Sequence, residues 1–202
     1  MGQAGLVGAH RRRRHRTTVP DPNAATRPDL VLRDFQPGPA ALDLRWCGDI
    51  TCIATDQGWL CLATVIDIAS RRVVGWATAN HLRTELVAEA LRAACRTRRP
   101  APGVIFHSGR GCQCTSRELT RLAGEFGVRF SASRTGQCWD NALAESFFST
   151  LKRELVNGRP WATRAAAHTA IFDFIEGWYN VHRLHSSLGY QSPAAYESAI
   201  AA

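Results

Sequence analysis

At 202 residues and 45% apolar content the chain holds enough hydrophobic material for one sizeable core with attached arms, and has no room for several domains. A formal net charge of +8 favours an acidic polymer as partner, here nucleic acid, over a basic protein merely kept dispersed by its charge. No stretch approaches the roughly eighteen apolar residues of a membrane span, and Thr-Thr-Val-Pro-Asp-Pro follows Arg16 where a secretory signal needs an apolar run, so no membrane partner is expected.

Residues 1–40 combine the run Arg11, Arg12, Arg13, Arg14, His15, Arg16 with five prolines and no apolar period, which reads as a basic, Pro-rich flexible arm. Residues 1–46 carry eight Arg against four Asp, so half of the net positive charge is in this region. The Arg run suits phosphate contact through counterion release, or it is a linker without a dedicated partner. Residues 41–202 are expected to form the folded core with a C-terminal helical extension. Seven cysteines, at 47, 52, 61, 95, 112, 114 and 138, lie partly inside apolar runs and make no Cys-x-x-Cys pair. They read as reduced, mostly buried thiols of a cytoplasmic protein.

From Trp46 the pattern turns to β. Trp46 to Thr55 is one strand with Asp49 in its middle, Gln57-Gly58 a turn, and Trp59 to Ile68 a near-continuous apolar run suited to a strand buried on both faces. After Ser70-Arg71-Arg72, Val73 to Ala79 supplies a third strand, and such short connections predict an antiparallel meander. Thr84 caps a helix over Glu85 to Arg96 that Pro100 and Pro102 end; Val104 to Phe106 is a short strand. Thr115 and Glu118 form a capping box for a helix that Gly127 stops, and Val128 to Phe130 is the last strand. Asp140 caps a helix running to about Val156, with Glu145, Ser149 and Lys152 on one face and Leu143, Phe147 and Leu151 on another. Thr163 to Tyr179 is a further helix, and Ser192-Pro193 opens a terminal one.

The order βββαβαβα implies an α/β fold, a mixed five-stranded sheet with its first three strands antiparallel and helices on both faces, which is the ribonuclease-H-like order. In that topology the first and fourth strands are neighbours, so Asp49 and the end of Phe106-His107-Ser108-Gly109 meet at one sheet edge under the helix that carries Glu145. A lone mid-strand carboxylate needs a cation or hydrogen-bond donors, because burying it unpaired costs several kcal/mol. Mg²⁺ held by carboxylates is one solution; neighbouring backbone donors are the other.

Five blocks, in order, carry a resemblance. They are Trp46-x-x-Asp49-Ile50-Thr51; Asp67-x-x-Ser70-Arg71-Arg72-x-Val74-Gly75-Trp76; His107-Ser108-x-Arg110-Gly111; Asp140-Asn141-Ala142-x-Ala144-Glu145-Ser146-Phe147-Phe148; and Tyr179-Asn180-x-x-Arg183-x-His185-Ser186-x-Leu188-Gly189-Tyr190-x-Ser192-Pro193. Across roughly residues 30–198 the chain resembles the catalytic half of OrfB-type insertion-sequence transposases, relatives of retroviral integrases. The resemblance implies DNA cleavage and strand transfer by an Asp, an Asp and a Glu that bind Mg²⁺ or Mn²⁺. Carried over, the first Asp is Asp49 and the Glu is Glu145. The second belongs at position 109, separated from Glu145 by thirty-five residues, and that residue is Gly109.

A chain with two of three carboxylates is expected to hold metal weakly and to be catalytically impaired. Asp67 and Asp140 are near enough in the pattern to be weighed as substitutes, but neither stands at the end of the fourth strand. The alternative is a non-catalytic DNA-binding or inhibitory remnant that assembles with intact copies; a repair nuclease of the same fold leaves the Tyr179–His185 block without a role. The resemblance further implies insertion-sequence ends and a target duplex as partners, a homo-oligomer or mixed transposase assembly, and a cytoplasmic, nucleoid-associated location. Candidate DNA contacts are Arg11, Arg12, Arg13, Arg14, Arg110, Lys152, Arg183 and His185, each of which also has a plain solvated-surface explanation.

Overall fold

A computed structural model describes residues 27–35, 38, 41–109, 117–132, 141–156 and 161–201. Strands β1 (Arg45–Thr55), β2 (Gly58–Asp67) and β3 (Val73–Ala79) are followed by helix α1 (Thr84–Arg98), strand β4 (Ile105–Ser108), helix α2 (Arg117–Phe126) and strand β5 (Arg129–Ala132). Helix α3 (Ala142–Leu151) runs on as a π-helical turn over Lys152–Val156. Helix α4 (Arg164–Phe172) continues through a π-helical stretch, Asp173–Tyr179, into the single turn α5 (Asn180–His182), and α6 (Pro193–Ala201) ends the fold. The sheet order is β3-β2-β1-β4-β5, with β1, β2 and β3 antiparallel and β1-β4-β5 parallel. This is the mixed five-stranded sheet expected from the element order.

Period-two alternation in β1 divides the core in two. Trp46 joins Ala63, Val65, Leu91, Phe106, Leu119 and Leu122 under α1 and α2; Cys47 and Ile53 join Leu62, Ile66, Phe147, Leu151 and Ile171 under α3 and α4. β2 is buried along all but its first two residues, as its unbroken apolar run requires when helices cover both faces. Gly75 in β3 is required by contact: a Cβ there would stand 2.5 Å from both the Ala90 carbonyl oxygen and the Ala94 nitrogen of α1.

The C-terminal block is tied to the sheet by buried polar contacts. Asn180 is 1% exposed; its Oδ1 accepts from the Val73 amide at 2.9 Å and its Nδ2 donates to the Val73 carbonyl at 3.0 Å. Glu197 of α6 takes Arg72 at 2.8 Å and Arg98 at 2.9 Å. Ser192 Oγ accepts from the Ala195 amide at 3.3 Å, so the terminal helix starts at Ser-Pro as its sequence predicts.

Several expectations need correction. β4 runs from Ile105 to Ser108 rather than Val104 to Phe106, because parallel pairing with both β1 and β5 carries it through His107 and Ser108. Thr84 is the first residue of α1, not its cap; Arg83 precedes it in extended conformation and makes no side-chain cap bond. Cys52 and Cys61 are direct cross-strand partners with Cα atoms 4.1 Å apart and form a disulfide, whereas all seven cysteines read as thiols in the sequence. Cys47 and Cys95 are buried free thiols, and Cys112, Cys114 and Cys138 lie outside the described residues. Part of the stretch assigned to a flexible arm is packed: Val31 is 1% exposed in the α3-side core, the Leu30 amide donates to Ser131 Oγ at 2.8 Å, and the Arg27 guanidinium lies 4.2 Å over the Phe130 ring. Asp29 holds this segment in shape by accepting the Val31 and Leu32 amides. No helix among the described residues is long and apolar enough to cross a membrane.

Gly75→Ala is expected to destabilise the protein by about 1–3 kcal/mol, since backbone atoms of α1 have to move away from β3; urea unfolding of the two proteins measures it.

Candidate active site

Asp49 lies mid-strand in β1 and, by alternation, projects with Cys47 and Ile53 toward the layer of α3 and α4. One carboxylate oxygen accepts the Ile50 amide at 2.8 Å. Gly48 pairs with Ser108 at the last rung of the parallel ladder, so position 109 comes next beside Asp49. Ile105 packs on the α3 side and Phe106 on the other, which directs His107 and position 109 toward the same face as Asp49. A Cβ at Gly109 would meet no atom of the described residues within 4 Å. Space for a side chain is present and the side chain is not.

Helix α3 covers this face. Its expected cap, Asp140, lies outside the described residues; the residue before the first turn is Asn141, which makes no side-chain cap bond. Instead Asn141 Nδ2 donates to the Gly48 carbonyl at 3.4 Å, fixing the start of the helix against the strand residue that precedes Asp49. Glu145 comes one turn later on nearly the same side of the helix and is exposed, while Leu143, Phe147 and Leu151 are buried, the division of faces expected from the sequence. Asp49, position 109 and Glu145 therefore address one side of the sheet.

Two further residues, unremarked in the sequence, border Asp49. Thr64 is its cross-strand partner in β2, so both side chains leave the same face. Thr64 Oγ1 and Asn141 Oδ1 are buried and have no hydrogen-bond partner among the described residues. Orphaned buried oxygens are rare because each costs about 1–3 kcal/mol, and two beside one carboxylate mark a place for an external donor or cation. The signal for Thr64 was a single hydroxyl inside an otherwise apolar strand.

Carboxylates with neutral oxygens are the donor chemistry that suits a hard divalent cation completed by water. Among the described residues no group of three or more His, Cys, Asp or Glu could hold a metal ion, and glycine at 109 offers no side-chain ligand. Asp67 does not substitute. It is fully buried three rungs along the β1–β2 ladder from Thr64, paired with Trp46 rather than Asp49, and its oxygens accept from the Ser70 amide and hydroxyl and from the Asp43 amide.

Of the candidate DNA contacts, Arg11, Arg12, Arg13, Arg14 and Arg110 lie outside the described residues. Lys152 is exposed where α3 passes into its π-helical turn. Arg183 and His185 follow α5 and come together near the flank of α3. Burial pushes the His185 imidazole down to about 4, helped by the guanidinium charges of Arg183 and Arg71, so it is neutral at pH 7.

Helices on both faces of a β3-β2-β1-β4-β5 sheet, with its first three strands antiparallel, define a core of the integrase kind. Solved structures agree on the fold. The catalytic core domain of HTLV-2 integrase in complex with magnesium matches 77% of this chain and 96% of its own with a TM-score of 0.57 at 14% identity. That of BIV integrase matches 78% and 95% with a TM-score of 0.56 at 16% identity. Family models described as "Integrase core domain" match residues 41–138 and 126–193. The transposase for insertion sequence element IS904 of Lactococcus lactis subsp. lactis (strain IL1403) is 41% identical over 85% of this chain and 67% of its own length. Transposase InsF for insertion sequence IS3A of Escherichia coli (strain K12) is 40% identical over 84% and 58%. The chain belongs to the insertion-sequence transposases with an integrase core domain. It spans about three fifths to two thirds of the length of these relatives.

Two outcomes follow. Thr64→Val removes a buried hydroxyl that bonds nothing in the protein, and is expected to leave stability unchanged or raise it by up to about 1 kcal/mol in thermal melts without added metal. The folded His185 pKa is below the ordinary value of 6.5, so the unfolded chain takes up its proton first. Stability from this residue is complete above pH 6.5 and falls as the pH drops through about 4, a loss of about 1 kcal/mol after solvent screening that His185→Gln abolishes in pH-dependent unfolding.

Proposed function

We propose that the chain is the DNA cleavage and strand-transfer core of an insertion-sequence transposase, impaired because Gly109 occupies the position of its third metal-binding carboxylate. The observation that carries this reading is the open volume at Gly109 beside Asp49 and under the face of Glu145. In both reactions a hydroxyl oxygen attacks a backbone phosphorus, one P–O bond forms as another breaks, and the nucleophile's proton ends on the leaving oxygen by way of solvent. Asp49 and Glu145 would hold Mg²⁺ (or Mn²⁺), with Thr64 Oγ1 and Asn141 Oδ1 as acceptors for its water. A bound divalent ion supplies a nucleophile of lowered pKa and draws charge from the leaving oxygen. What this chain contributes is placement: Asn141 clamps α3 to Gly48, which sets Glu145 against the strand bearing Asp49. The similar HTLV-2 integrase core was solved with magnesium, which supports the choice of ion.

With glycine at 109, two negative charges face what a pair of divalent ions would bring, and a second ion lacks a direct ligand. Even indirect losses at metal sites cost about 10–100-fold in affinity or activity. The Arg11–Arg14 run, Arg110, Lys152, Arg183 and His185 would meet the phosphates of insertion-sequence ends and target duplex, in the cytoplasm at the nucleoid. A second reading rests on the same glycine: a DNA-binding subunit that joins intact copies and lowers their activity. Similar integrase cores were solved in dimeric and trimeric forms and in an intasome, which makes mixed assembly a physical route to such inhibition.

Gly109→Asp is expected to raise Mg²⁺-dependent cleavage of an element-end duplex at least tenfold over wild type, and Glu145→Ala to abolish what remains. Wild-type cleavage equal to that of Gly109→Asp would refute the impairment.

A further inference from the structure

A cleft of about 280 Å³ opens between the flank of α3 and the segment that follows α5. Arg71, Ser146, Tyr179, Arg183, His185 and Ser187 are among its lining residues. We infer that this cleft is a second phosphate site, seating a backbone phosphodiester of the bound DNA beside the metal-binding face. The inference rests on the DNA reading above and adds to it a specific seat, in which Arg71, Tyr179 and Ser187 join Arg183 and His185.

Size is the first argument: about 280 Å³ is room enough for a phosphodiester with its bound water. Charge is the second. Arg71 and Arg183 both line the cleft, and neither forms a carboxylate salt bridge among the described residues, whereas the adjacent Arg72 is bound to Glu197. Arg183 lies over the Trp178 and Tyr179 rings at 6.0 and 5.9 Å, which uses the face of its guanidinium and leaves the N–H edge for an anion. Arg71 is steadied by donating to the Phe35 carbonyl. It sits at φ 65°, a conformation that L residues seldom adopt, in a turn held by Asp67 and Ser70.

The field at Arg71 contains one nearby carboxylate, Asp67. That group is fully buried, its oxygens are taken by Ser70 and Asp43 donors, and burial pushes its pKa up. The third argument is a buried polar atom without a partner: Nε2 of His185 is enclosed and makes no hydrogen bond in the protein. A neutral imidazole can donate to a phosphate oxygen there. Position completes the case. Ser146 follows Glu145 on α3 and Thr150 lines the same cleft one turn on, so a phosphate held here belongs to the strand passing the candidate active face.

The test measures binding of a duplex by fluorescence anisotropy over a range of salt, for wild type, Arg183→Gln, Ser187→Glu and a control, Arg96→Gln, on the far face of the sheet. Ser187 is exposed, so its variant places a carboxylate at the cleft without disturbing the core. Both cleft variants are expected to bind about five- to tenfold more weakly, and Arg183→Gln to lower the slope of log K against log salt by about one; the control should change binding less than twofold. Thermal melts with inorganic phosphate form the second arm: stabilisation of wild type that disappears in Ser187→Glu shows that the cleft takes the anion. If phosphate stabilises wild type but the duplex does not bind, the cleft is a free-anion site and the DNA reading is at fault. Cleft variants that bind duplex like wild type, with unchanged slope, overturn the proposal even where wild type binds well, as does the absence of both effects.

Discussion

The parallel pairing of β4 with β1 is the constraint on which the rest depends. It joins residues about sixty apart in the chain, Arg45 with Ile105 and Gly48 with Ser108, and it requires the crossover through α1 that covers one face of the sheet. Once that rung pattern is set, position 109 must lie beside Asp49, and alternation sends both to the opposite face from α1. That face is left for α3, which reaches it through the Asn141 contact to Gly48. A one-residue slip in the ladder would turn Asp49 into the α1 layer and dissolve the site.

The two glycines nearest this junction illustrate different physics. At Gly48 a Cβ would stand 2.5 Å from two Phe106 ring carbons and 2.7 Å from the Thr64 carbonyl oxygen, so the ring occupies the space a side chain would need. Gly48 is therefore part of the packing of β1 on β4. Gly109 has open space around its Cβ position and lies in none of the strained conformations that demand glycine. Nothing in the folding of the described residues calls for glycine at 109, which makes its identity a matter of chemistry rather than of stability.

The strands and their order were legible because each signal is local: the alternation around Asp49, the apolar run of β2 and the breaks at Gly58 and Ser70 all lie within a few residues. The faces of α3 followed from the spacing of Leu143, Phe147 and Leu151 for the same reason. What escaped was set by distant partners. The apolar triplet Leu30-Val31-Leu32 is too short, between Asp29 and Arg33, to mark Val31 as a residue buried in the core that α3 covers. Cys52 and Cys61 oppose each other only because the Gln57-Gly58 turn fixes the register, and composition cannot reveal a pairing. The orphaned oxygens of Thr64 and Asn141 are visible only when every possible donor around them has been placed. Arg71 and Arg72 look alike in sequence, yet a positive-φ turn sends one toward α3 and the other to Glu197 of α6.

The charge arrangement then bears on which of the two functional readings the fold can sustain. On the proposed reading, the face bearing Asp49 and Glu145 would engage DNA through a cation that those carboxylates attract, and glycine at 109 would weaken that route. The proposed phosphate cleft beside α3 is lined by Arg71 and Arg183, whose attraction for a phosphate needs no metal. A chain deficient at the first place and intact at the second would keep its grip on a duplex while losing the chemistry. Retention of binding without cleavage is what an interfering subunit requires, so on the proposed reading impairment and inhibition would be two consequences of one missing side chain.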